Sequence, residues 1–126
     1  MQPKIYDITY YEGDSFTLKV YPKDSNQQRL PLTNVESEDT YFRLAAKRDN
    51  LQEWNEWGTS TIQVDAGGKY IQCDLFSVQG EQLKDGYVYD IGYFDDFFDN
   101  DDRNKRITVL TGTFRVMSEV KVSGNS

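Results

Sequence analysis

Apolar and polar residues alternate with period two along most of the chain, the spacing at which a strand turns successive side chains to opposite faces. Phe16, Leu18 and Val20 alternate with Thr17, Lys19 and Tyr21. In residues 41–46, Phe42, Leu44 and Ala46 share one face and Tyr41, Arg43 and Ala45 the other. Ile71, Cys73 and Leu75 alternate just after Ala66-Gly67-Gly68, a strong hairpin signal. Tyr87, Tyr89, Ile91 and Tyr93 lie opposite Val88, Asp90 and Gly92. Leu110, Gly112, Phe114 and Val116 line up in a last strand over residues 107–117. Two further extended runs complete the set: the tyrosine-rich residues 5–11, closed by Glu12-Gly13-Asp14, and the β-branched residues 59–64.

The breaks between these runs are equally regular. Pro22 ends one strand because it lacks the ladder N–H, and Asp24-Ser25-Asn26 is a turn by composition. Leu30-Pro31-Leu32-Thr33 resumes an apolar pattern and is expected as a short edge or bridging segment. Residues 49–58 are polar apart from Leu51, Trp54 and Trp57, residues 77–85 form a longer connection with room for one helical turn, and residues 118–126 read as a flexible tail. Seven or eight short strands, no helix of ordinary length, no repeat and no linker predict an all-β antiparallel β-sandwich. The expectation is a single domain over residues 1–126 with its core at about 5–117. The bend Leu83-Lys84-Asp85-Gly86 feeds the most aromatic strand, as in immunoglobulin-like sandwiches that set a corner tyrosine there. Tyr89 or Tyr87 is the candidate, against the plainer reading that both are core aromatics.

Composition supports a packed core. Hydrophobic residues make up only 37%, but aromatic residues reach 14%, and each buries a large area. The net charge of −7, with 14 basic against 21 acidic residues, argues against nucleic acid and anionic lipid as partners, since both are held by Lys and Arg. Cys73 is the sole cysteine, which rules out an intrachain disulfide. The start, MQPKIYD, lacks the apolar core of a signal peptide, and no apolar run is long enough to span a membrane as a helix. A protein made in the cytoplasm and not exported by the usual route is expected.

Catalytic chemistry finds little material. With no histidine, every Ser-His, Cys-His and His-metal arrangement is excluded. Cys73 falls at an inward strand position, where a thiol is inert, and Gly67-Gly68 lacks the phosphate-loop spacing. Asp95, Asp96, Asp99, Asp101 and Asp102 supply enough carboxylates for a cation loop, but a calcium loop begun at Asp99 would put Asn104 where glycine is needed and Leu110 where glutamate is needed. A solvated hairpin tip balanced by Arg103, Lys105 and Arg106 is the simpler expectation, with no metal and no cofactor. The enzyme reading is therefore rejected. Trp54, Trp57, Phe97 and Phe98 stand in polar surroundings and are the candidate contacts to a partner or a glycan, unless they pack over the sandwich instead.

Several segments in order resemble a phage family. They are Glu12-Gly13-Asp14-Ser15-Phe16, Leu30-Pro31-Leu32-Thr33, Tyr41 through Arg48, Gly68-Lys69-Tyr70-Ile71, Leu83 through Ile91, and Thr111-Gly112-Thr113-Phe114-Arg115-Val116. The progression is similar to the N-terminal immunoglobulin-like domain of phage baseplate upper proteins and related virion accessory domains. It departs in having Glu12 where the family often has glutamine and a longer, more acidic loop at residues 95–106. The resemblance implies an immunoglobulin-like fold, location in the virion, other phage structural proteins as partners, and no catalytic residues; a homo-oligomer on the particle is compatible with it, with no coiled-coil heptad to carry one. With the chain ending soon after the last strand, a structural or adapter protein of tail, baseplate or head is expected rather than an adhesin. A carbohydrate-binding or cell-surface adhesion module, with Trp54 and Trp57 stacking on a host glycan, is the alternative.

Overall fold

In the computed structural model, which describes residues 3–11, 13–45, 58–75, 87–95 and 105–117, the alternating runs are strands. They are β1 (Lys4–Ile5), β2 (Ile8–Tyr11), β3 (Phe16–Val20), β4 (Thr40–Ala45), β5 (Thr59–Asp65), β6 (Gly68–Leu75), β7 (Tyr87–Asp95) and β8 (Lys105–Met117). One sheet has the order β3-β6-β5; the other runs β1-β8-β7-β4, with β2 also on β8. Lettered from β3 as B, these are the B-E-D and C-F-G sheets of an immunoglobulin-like sandwich. The first strand is placed differently. Both β1 and β2 pair with β8 in parallel, Lys4 opposite Leu110 and Ile8 opposite Phe114.

The core fills the space between the sheets with the faces that alternation assigns. Ile71, Cys73 and Leu75 of β6, Phe42 and Leu44 of β4, and Tyr89 and Ile91 of β7 are buried. Phe114 sits at the centre, its ring 5.9 Å from Tyr10, 6.2 Å from Phe16, 6.4 Å from Tyr89 and 6.5 Å from Phe42. The Phe16 and Tyr89 rings stand nearly perpendicular to it, the edge-to-face geometry that aromatic quadrupoles favour. Few residues thus supply a large buried area, which reconciles a lean hydrophobic count with a closed core.

Residues 5–11, expected as one extended run, form two strands with a kink at Tyr6-Asp7 between them. The kink presses onto β8 at Gly112, where a β-carbon would stand 2.8 Å from the Tyr6 carbonyl carbon. Three hydrogen bonds hold it there. The Tyr6 N–H donates to the Thr111 carbonyl at 2.8 Å, the Thr113 N–H donates to the Asp7 carboxylate at 3.1 Å, and the Tyr89 hydroxyl donates to the Tyr6 carbonyl. Burial, with the nearby Tyr6 and Asp7, pushes the Tyr89 hydroxyl up, so it remains a donor. Tyr89 is therefore not a corner tyrosine. Its hydroxyl reaches across 83 residues to the first strand rather than back to the bend that precedes it.

The outer face of the larger sheet carries an ordered polar cluster. Tyr41 is buried on this solvent side because the guanidiniums of Arg43 and Arg106 lie over its ring at 4.4 and 5.0 Å, and Phe94 packs at 5.6 Å. Arg106 also pairs with the buried Asp90 at 3.7 Å. Gly92 makes room for this arrangement, since a β-carbon there would lie 2.8 Å from the Tyr41 ring. The β7–β8 register shifts between Ile91 and Gly92, leaving Val109 as the extra residue of a bulge.

Of the two expectations for the link from β3 to β4, an edge strand or a bridging segment, the structure has the second. Leu30-Pro31-Leu32-Thr33 is not a strand; Leu32 takes a positive φ of 53° and is buried, as is Val35 after it. One 3-10 turn, Ser37–Asp39, precedes β4 and is closed by the Glu36 N–H on the Asp39 carboxylate at 2.9 Å.

Replacing Gly112 by alanine is expected to destabilise the protein by about 1–3 kcal/mol, the usual range for overpacking. Tyr89→Phe should cost about 1 kcal/mol for the lost hydrogen bond. Because both act on the same kink, urea unfolding of the double variant should show less than the sum. Asp7 gives a pH signature. The Thr113 backbone N–H, then the Thr113 side chain, hold its carboxyl below the ordinary 3.8. Its contribution is thus present above that value and is lost as pH falls through the lower folded value. Asp7→Asn should flatten the fall in melting temperature on acidification below about pH 4, read by thermal scans across pH.

Candidate protein-interaction edge

In the constant-type sandwich the first strand covers the free side of B. Here that strand lies along β8, and among the described residues β3 is paired on one side only, by β6. The edges of the two sheets therefore face each other across an open cleft of about 730 Å3. Val20 of β3, Leu30 of the following connection, and Val109 and Leu110 of β8 form its apolar walls. Val109 and Leu110 are neighbours, which a regular strand would turn to opposite faces. The bulge lets both pack inward.

The rim is basic. Lys4 comes from β1, Lys19 from β3 and Lys23 from just beyond Pro22. The Lys19 ammonium lies 5.6 Å over the Tyr70 ring, and Lys4 and Lys23 make no ion pair among the described residues. Among the described residues the one acidic group on the cleft is Asp24, whose Oδ1 accepts the N–H groups of Asn26 at 2.8 Å and Gln28 at 3.0 Å. These bonds, with Gln27 at a positive φ of 65°, shape a tight turn that holds Lys23 beside the cleft. Arg29 anchors that turn to the β5–β6 hairpin. Its Nη2 donates to the Gly68 and Lys69 carbonyls at 3.2 Å, pairs with Asp65 at 3.1 Å, and its guanidinium lies 4.7 Å over Tyr21.

Trp54, Trp57, Phe97, Phe98, Asp96, Asp99, Asp101 and Asp102 lie outside the described residues. Asp95 is described as the last residue of β7, opposite Lys105. Among the described residues no group of three or more His, Cys, Asp or Glu side chains could hold a metal ion. Cys73 is fully buried, and burial, followed by the charge of Asp74, pushes its thiol up. The lysine rim escaped the sequence reading because Lys4 meets Lys19 and Lys23 only through the parallel pairing of β1 with β8. The alternation of Lys19, Tyr21 and Lys23 was the one local signal.

Cys73 gives a direct check on how tightly the sandwich closes. It should resist iodoacetamide in the native protein at pH 8 and react fully in denaturant, with the native rate tracking global unfolding when followed by mass spectrometry.

No model of a known protein family matches the chain, and no curated protein matches it either.

Proposed function

We propose that this protein is a non-enzymatic structural adapter of a phage particle, placed in tail, baseplate or head and acting through protein–protein contacts. The observation that supports it best is the edge of β3 beside the cleft, which has no partner strand among the described residues. Soluble β-proteins generally cover, shorten or charge such edges, because unpaired backbone groups invite another strand. An edge left open next to a cleft with apolar walls suits recognition by strand addition. The virion assignment rests on the ordered segments that resemble phage immunoglobulin-like domains, a likeness of fold and motif.

Mass spectrometry of density-purified virus particles from the source system tests the reading. The chain is expected at a fixed copy number per particle. Its absence from particles while it is expressed in infected cells would overturn the assignment.

A further inference from the structure

We propose that the cleft between β1 and β3 takes up an extended acidic segment of a partner protein, added as a strand to the free edge of β3. This rests on the reading of the chain as a protein-contact module and names the chemistry of what it contacts. The edge supplies the backbone part of the recognition. β3 pairs with β6 over Phe16–Val20, and its other side has no strand among the described residues.

The side chains supply selectivity. A strand presents alternate residues to opposite sides, so one set of an added strand would face Val20, Leu30, Val109 and Leu110, and the other set the lysines. Lys4, Lys19 and Lys23 gather on a chain whose net charge is −7, and the carboxylate of Asp24 is held by backbone N–H groups. A basic rim on an acidic protein selects a carboxylate-bearing partner and, by like-charge repulsion elsewhere on the surface, limits its docking to this edge. The fitting segment alternates aspartate or glutamate with aliphatic residues.

The test uses the full chain, labelled with nitrogen-15, and a capped nonapeptide alternating aspartate with valine; the control carries lysine in place of aspartate. Amide shifts on titration are expected in residues 16–23 and 4–5, with binding weakened about tenfold by combined Lys4→Gln, Lys19→Gln and Lys23→Gln. Weakening should also follow a rise in salt to 1 M. The lysine peptide should not bind. These lysines are exposed, and the amide spectrum of the variant reports whether its fold is kept. Failure of the acidic peptide to bind, equal binding of both peptides, or shifts mapped elsewhere would overturn the proposal. So would self-association through β3 without peptide uptake, or saturation of the same residues by sodium octanoate alone. If the peptide fails while the chain is present in particles, this inference falls and the adapter reading stands. If the peptide binds but particles lack the chain, the cleft keeps its assigned chemistry and the virion location falls.

Discussion

The contact of the Tyr6-Asp7 kink with Gly112 is the constraint on which the other features depend. It fixes the first strand on β8, closes that side of the larger sheet and, by the same placement, leaves β3 with β6 alone beside it among the described residues. The contact is specific because it is short-range on every side. Backbone meets backbone where no side chain intervenes, a buried phenol donates from below, and a carboxylate takes the next N–H along β8. A sandwich could form with the first strand on either sheet. This set of groups favours one placement.

Much of the fold was legible because its strands obey a strict alternation. The inward residues of β4, β6 and β7 are those the pattern names, and Ala66-Gly67 joins β5 to β6 as a two-residue hairpin. Pairing between distant strands was not legible. Nothing in residues 5–11 says that they run parallel to residues 110–117, since an exposed edge strand and a strand laid on β8 read alike. For a related reason the sequence left open whether Leu30-Pro31-Leu32-Thr33 is an edge strand or a bridge. The segment's apolar residues plug the core from a loop, at a positive φ that alternation cannot anticipate. The candidate site was less legible still. Aromatic residues in polar loops draw attention in a sequence, whereas three separate lysines look like ordinary surface until topology gathers them.

The two outer surfaces contrast in how their charges are used. On the larger sheet, arginines stack on Tyr41 and one pairs with Asp90, so the cations there are committed to internal contacts. At the cleft the cations are lysines, compact charges on flexible stems; all three are exposed, and only Lys19 lies over a ring, that of Tyr70. An arginine whose planar group is stacked stiffens a surface, while a lysine on a rim adjusts to what approaches. The division matches a scaffold on one face and an adaptable edge on the other.

The parallel pairing of the first strand with the last also dictates when the protein can become itself during synthesis. Asp7 and Thr113 are 106 residues apart, so their contact closes nearly the whole chain into a loop. On the ribosome, residues 4–11 have no partner strand among the described residues until β8 has emerged, and β7 has only β4 beside it until then. The sandwich is thus completed only once β8 has been made, a slow, non-local step of the kind that exposes unfinished edges to chaperones.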